Sequence, residues 1–219
     1  MEASGPNRRS RNLQSMLLAV VLVALLLSGI APYDRLTWAM EVSWVIVGIP
    51  LLVLTHRRYP LTPLVYLLLT AHALLLIAGG YYTYERVPIG NWVKELVGGS
   101  RNNFDRLGHL VQGFAPAVLV REILLRWSPL RPGWWLRVLV VSVCLAFSAF
   151  FELIEWWAAL LLGQAADAFL ATQGDPFDTQ ADMCCALVGA IASLALFERL
   201  HDRQLRERGW IGPRCPDEH

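Results

Sequence analysis

The chain reads as an all-α protein, a polytopic transmembrane helical bundle of six spanning helices with both termini in the cytoplasm. Three observations predict this. Of its 219 residues, 55% are hydrophobic and only 17% charged, far more apolar than a soluble domain of that size needs to be. The apolar residues gather into six runs, most near the length that crosses a hydrocarbon core of about 30 Å. The basic residues segregate to one side of those runs, behind a net charge of only +1; that patterning excludes a nucleic-acid binder and sets an orientation.

Residues 1–15 form a polar N-terminal tail carrying Arg8, Arg9 and Arg11, followed by an apolar run over 13–31. The small residues Gly29-Ile30-Ala31 resemble a signal cleavage site, but the run exceeds the 7–15 residues of a signal core. It is therefore expected to stay attached as the first span. Residues 38–54 are the second run, short for a crossing, with Glu41 close to its start. The third, 61–82, holds His72 near its middle and ends in Tyr81 and Tyr82, with Tyr84 just beyond, a cluster that suits the membrane–water boundary.

A long glycine-containing connection follows, in which 91–96 suggests a short interfacial helical turn. The fourth span, 107–125, contains His109, Gln112, Pro116, Arg121 and Glu122; a basic link then leads to the fifth, 138–162, which carries Glu152 and Glu155. Residues 163–180 contain Asp167, Asp175 and Asp178 without a lysine or arginine, and 181–197 is the sixth run. The organisation expected is thus a cytoplasmic tail (1–15), a six-span domain (16–200) and a charged cytoplasmic tail (201–219) whose proline-containing end is poorly ordered.

Six spans place the N-terminus, the second and fourth links and the C-terminus on one side. Of the 19 lysines and arginines, only Arg35, Arg86, Lys94, Arg101 and Arg106 fall on the other side when Arg121 and Arg137 are counted with the links they flank. Cytoplasmic segments retain basic residues, so the termini are assigned to the cytoplasm. Removing one span would put the basic N-terminus and the basic tail on opposite faces, so the pattern also supports an even number.

Carboxylates inside an apolar span are costly unless paired, protonated or bound, and they are functional-site candidates by default. At 1.5 Å rise per residue, Glu152 lies about 21 Å along its helix from Val138, and Glu155 about 4–5 Å further out. Asp105 sits at the outer mouth of the fourth span, His109 about 6 Å further in, Asp178 and Asp182 at the outer start of the sixth, and Glu41 just inside the outer start of the second. Residues three or four apart share a helix face. Asp105, His109 and Gln112 therefore form one stripe, Glu152 and Glu155 a second, and Asp178 with Asp182 a third, all at one depth.

The candidate polar cluster is Asp105, Arg106, His109, Gln112, Glu152, Glu155, Asp175, Asp178 and Asp182. Three chemistries suit it. A divalent metal ion would neutralise the carboxylates, with His109, Glu152, Glu155 and Asp182 as ligands. Closely spaced carboxyls can instead share protons, because like charges resist joint ionisation. Or Arg101, Arg106 and Gln180 neutralise and hydrogen-bond the acids as interhelical glue. Elsewhere, His72 is a lone mid-span histidine, and Arg121 with Glu122 reads as snorkelling toward the cytoplasmic end. Cys144, Cys184, Cys185 and Cys215 lack metal-ligand spacing and read as small core residues.

Several motifs carry a resemblance. Val87-Pro88-Ile89-Gly90-Asn91-Trp92, Arg101-Asn102-Asn103-Phe104-Asp105-Arg106-Leu107-Gly108-His109, Gln112-Gly113-Phe114-Ala115-Pro116-Ala117, Arg121-Glu122, Glu152-Leu153-Ile154-Glu155-Trp156-Trp157 and Gln173-Gly174-Asp175-Pro176-Phe177-Asp178-Thr179-Gln180-Ala181-Asp182-Met183 resemble the bacterial inner-membrane YjdF family. The likeness covers most of 61–200. It implies a multi-pass protein of the bacterial inner (plasma) membrane, with the lipid bilayer as its partner, and implies no reaction. At pattern level the chain is also similar to VanZ-like proteins, with Asp105 and His109, then Glu152, then Asp182 before Gly189 as counterparts. The functional expectation is a membrane protein whose outward-facing Asp/His/Glu cluster binds a divalent cation or the polar head of a lipid-linked substrate. The alternatives are a proton- or solute-coupled transporter and a structural membrane partner without catalysis.

Overall fold

The computed structural model describes residues 8–212; Cys215 and the proline-containing end of the tail lie outside them. Helices α1 (Arg8–Ser28), α2 (Arg35–Thr55), α3 (Pro63–Tyr82), α4 (Pro88–Leu96), α5 (Phe104–Trp127), α6 (Trp134–Leu162), α7 (Asp167–Leu170) and α8 (Asp178–Glu207) follow in order, with 3-10 turns at Tyr84–Arg86 and Gly163–Ala166. Among the described residues no strand occurs, and six helices are long and apolar enough to cross a membrane: α1, α2, α3, α5, α6 and α8. All six expected spans are present.

Local chemistry sets several helix ends. The Asp34 carboxylate accepts the Thr37 N–H at 2.7 Å and caps α2, while α3 begins on Pro63, whose missing N–H costs nothing there. The helices outrun the apolar runs because backbone hydrogen bonding continues into polar flanks that have partners. Thus α6 starts at Trp134, and α8 continues past Phe197 to Glu207. The short helical turn expected at 91–96 is a full helix: α4 turns Ile89, Trp92, Val93 and Leu96 outward at i, i+3, i+4 and i+7, and none of its residues is buried.

Helix α5 is the hub, packed on α3, α6 and, most extensively, α8, while α3 carries α1 and α2. The α5–α8 contact is close because glycines meet backbone. A Cβ on Gly113 would stand 1.9 Å from the Ala186 carbonyl oxygen, and one on Gly189 2.0 Å from that of Leu110. Small residues permit such an approach between helices surrounded by lipid. The crossing is what brings the start of α8 beside the start of α5.

At the far end of the same two helices the sequence reading needs correction. Arg121 and Glu122 do not snorkel; they are 1% and 0% exposed. Arg121 donates to Asp202 Oδ1 at 2.5 Å and meets His201 Nδ1 at 3.1 Å. Glu122 accepts from Thr62 Oγ1 at 2.8 Å and Arg126 at 2.8 Å, with His201 Nε2 at 3.1 Å. The partners His201 and Asp202 come from the extended end of α8, which is helical and buried there rather than a solvated tail. The cysteine reading also holds only in part: Cys144 is buried, but Cys184 is exposed on α8.

Candidate functional site

Three helix starts or ends converge at the other end of the bundle. The first turns of α5 supply Asp105, His109 and Gln112, the last third of α6 supplies Glu152 and Glu155, and the first turns of α8 supply Asp178 and Asp182; all seven are buried. His109 is the meeting point. One ligand atom each from Asp105, His109 and Asp182 lie within 4.8 Å of one another, and so do those of His109, Glu152 and Glu155. His109 Nε2 stands 3.5 Å from Glu152 Oε1 and 3.8 Å from Asp105 Oδ1. Gln112 lies beside the His109 ring.

The arginines divide the acids into two groups. Arg101 pairs with Asp178 Oδ1 at 2.5 Å and with Asp105 Oδ2 at 3.5 Å, and Arg106 pairs with Asp175. Asp175 lies in the loop before α8, only partly covered, at the rim rather than inside the cluster. The Phe177 backbone N–H and the Arg106 guanidinium hold its carboxyl below the usual range. Among the described residues, no lysine or arginine is within ion-pair distance of Glu152, Glu155 or Asp182. Glu152 Oε1, Asp182 Oδ1, His109 Nδ1 and Gln112 Oε1 are buried without a hydrogen-bond partner, an uncommon state for polar atoms. Interhelical glue describes the rim; among the inner acids Glu152 also has the Thr179 side chain of α8 as a hydrogen-bond partner, which leaves Glu152 Oε1 and Asp182 Oδ1 unsatisfied.

Two members of this region carried a weaker signal. Glu41 of α2 is 1% exposed, and Tyr84 donates its hydroxyl to Glu41 Oε2 at 2.9 Å. Tyr84 is not part of an interfacial aromatic fringe; the 3-10 turn folds its ring inward against Gly79 and Gly108, where a Cβ would come within 2.5 Å and 3.0 Å of the ring. Burial and the neighbouring Glu41 keep the phenol well above its ordinary pKa, so it remains a donor. The signal in the sequence was the pair of glycines, which reads as space for a ring only once the turn is placed.

The geometry accompanies a family match. A family model described as predicted membrane protein (DUF2238) matches residues 13–203. The chain belongs to that family. It is also 51% identical over 200 residues, 91% of this chain and 94% of the relative, to the inner membrane protein YjdF of Escherichia coli (strain K12). No solved structure matches. The DUF2238 chain is accordingly an integral membrane protein embedded in the lipid bilayer, similar along nearly its whole length to an inner-membrane protein.

In this DUF2238 member the cluster is roofed by loops. Asn102 and Gln173 exchange hydrogen bonds, Asn102 N–H to Gln173 Oε1 at 3.0 Å and Gln173 Nε2 to the Asn102 carbonyl at 2.9 Å, and Arg101 donates to the Thr172 carbonyl at 2.8 Å. The Asn102 amide also donates to the carbonyls of Glu85 and Val87 and to Asn91 Oδ1. Beneath the roof a cavity of about 650 Å³ runs between the helices, touching Glu41, Asp105, His109 and Gln112 at the cluster, His72 midway, and His56 and Tyr66 toward the other end. Most of its wall is aliphatic or aromatic.

Proposed function

We propose that this protein binds a divalent cation at the buried end of its bundle, with His109 as the shared ligand between Asp105–Asp182 and Glu152–Glu155. The observation that carries the reading is the pair of three-residue ligand sets joined at His109, in which Glu152 and Asp182 each hold a buried oxygen without a hydrogen-bond partner. An uncompensated buried carboxylate is strongly destabilising; a cation offers what the two arginines, committed to Asp105, Asp175 and Asp178, do not. Carboxylate oxygens with one imidazole suit magnesium, manganese, calcium or zinc. We place the cluster toward the outside and both termini in the cytoplasm, on the segregation of the basic residues.

The test is a manganese titration of the full-length protein in detergent, read by the EPR signal of free ion, with elemental analysis of the protein as purified. Saturable binding of one or two ions that falls in Glu152→Gln and Asp182→Asn supports the reading. Absence of any bound divalent ion in both measurements overturns it.

A second reading is supported by the cavity. Because it touches titratable groups at both ends, with His72 between, a proton- or solute-coupled path is the alternative. Proteoliposomes separate the two: a static site binds cation without moving protons, whereas a coupled path acidifies or alkalinises the lumen in a manner that His72→Leu abolishes.

A further inference from the structure

The roof and the cavity together say from where the cluster is reached. Toward the aqueous side, the Asn102–Gln173 exchange and the Arg101–Thr172 bond close the loops over Asp105, and Tyr84, Val87, Phe104 and Ala171 pack into an apolar plug beneath them. Toward the bilayer, the same cavity that touches Asp105 and His109 is walled by Leu51 and Val53 of α2 and by Val143 and Phe147 of α6, all four of which are also exposed on the outer surface. A residue that is both cavity wall and outer surface stands at a mouth. This mouth faces hydrocarbon; the cavity also reaches the surface at the polar start of α1, where Arg11 and Ser15 line it and are exposed.

The dimensions suit a chain. From Asp105 to Val120 the cavity follows α5 for about 22 Å, well over half of the roughly 30 Å hydrocarbon core, and its volume of about 650 Å³ is that of an ordinary ligand site, typically about 300–1,000 Å³. Its wall is mostly apolar along that length, with His72 midway and Arg11, Gln14 and His56 toward the far end, and it is polar at the cluster. Hard divalent cations that keep only a few carboxylate ligands commonly complete their shell with phosphate oxygens of a substrate.

We infer that the ligand of this site is a phosphate-headed membrane lipid, a glycerophospholipid that enters sideways between α2 and α6, lays one acyl chain along the cavity, and sets its phosphate against the cation at His109. The inference rests on the cation reading given above and names the substrate class of that same site. The second acyl chain stays in the bilayer. The phosphate oxygens fill coordination positions that two carboxylates and one imidazole leave open on a cation, and the roof closes the loop side of the contact.

The test uses full-length protein in nanodiscs containing phosphatidylglycerol with a diazirine midway along one acyl chain, with manganese present, and maps the light-induced adducts by peptide mass spectrometry. Val21 and Val45 line the cavity and are 5% exposed, so lipid outside the protein does not reach them, whereas Leu26, Leu54 and Leu161 face outward. Adducts at Val21 or Val45 are expected. They should fall at least fivefold in Gly48→Trp, which fills a position lining the cavity where a Cβ meets nothing within 4 Å, while manganese binding and the outward adducts persist. They should also fall when EDTA removes the cation.

Adducts confined to the outward residues, or interior adducts that survive Gly48→Trp, overturn the lipid inference. Interior adducts indifferent to EDTA place the head away from the cluster and overturn it as well. Manganese binding without interior labelling sinks this inference alone, whereas interior labelling without any bound cation sinks the cation reading and this inference with it, so the two failures are distinguishable.

Discussion

Gly113 of α5 touches the backbone of Ala186 of α8: a Cβ added there would lie 1.9 Å from the Ala186 carbonyl oxygen. Neither partner is a flexible side chain that can turn away. The contact, with its reciprocal at Gly189 and Leu110, sets the spacing at which Asp178 and Asp182 face Asp105 and His109. Packing and site geometry are one constraint in this bundle.

Gly113→Val should therefore lower the thermal unfolding temperature of the full-length protein in detergent, through overpacking that costs about 1–3 kcal/mol or more. Gly48→Ala, where a Cβ meets nothing within 4 Å, is the control and should change it little. Equal stability of the Gly113 variant and wild type would mean that α5 and α8 do not approach this closely.

Removing one inner acid should weaken cation binding without unfolding the helices. Glu152→Gln and Asp182→Asn keep shape and part of the hydrogen bonding while removing charge. Each should raise the manganese dissociation constant by at least the roughly 10–100-fold that loss of an outer-shell partner costs at other metal sites, with circular dichroism unchanged. Asp175→Asn, at the rim and paired with Arg106, should leave affinity within a few-fold. A rim substitution as damaging as an inner one would show that the arginines do not divide the acids.

Much of this was legible beforehand, for identifiable reasons. Apolar runs such as 61–82 and 138–162 are long enough that hydrocarbon thickness alone dictates helices. The facing of Asp105 with His109, and of Glu152 with Glu155, follows from helical period. Three things were not legible. Tyr84 lies in a turn whose inward fold depends on Gly79 and Gly108 from two different helices. Arg121 and Glu122 find His201 and Asp202 on a segment of charged residues that reads as a solvated tail, because nothing local reveals that α8 continues to Glu207. The partition of the acids depends on Arg101, held by loop carbonyls at Ala171 and Thr172, and no periodicity reports where a loop returns.

The network at the opposite end should behave as buried ion pairs do when broken. Glu122→Ala removes the acceptor shared by Thr62, Arg126 and His201, and a half-broken buried pair costs about 3–5 kcal/mol. The thermal midpoint should fall far more than for Arg203→Ala, whose partner Glu207 is exposed on the same helix and whose pair is of the kind worth about 0–1 kcal/mol. Comparable midpoints for the two variants would restore the snorkelling reading.

The proposed orientation predicts that an enzyme active only in the periplasm, fused after Arg214, stays silent, whereas the same enzyme inserted between Gly98 and Gly99 is active. The second position lies in the connection from α4 to α5, where Gly98 has a left-handed φ of 64° and the surrounding residues are exposed, so an insertion is tolerated there. The opposite pair of signals would turn the bundle over and put the cluster on the cytoplasmic side, leaving its internal geometry unchanged.

Tyr84 and Glu41 offer a test of whether a site-lining carboxylate is structural or free to bind. The hydroxyl of Tyr84 donates to Glu41 Oε2 at 2.9 Å, and Glu41 is 1% exposed. Tyr84→Phe deletes the donor and leaves that oxygen buried without a partner, which costs about 1–3 kcal/mol. Replacing both partners with apolar groups removes the polar atom that needed satisfying, so Tyr84→Phe with Glu41→Leu should recover much of the stability lost in Tyr84→Phe alone. The readout is thermal unfolding of the full-length protein, with and without manganese. If Glu41 is held only by Tyr84, the single variant is destabilised and its manganese affinity is unchanged. If instead Tyr84→Phe binds manganese more tightly, the freed oxygen has joined the cation, and Glu41 belongs to the ligand set that His109 organises.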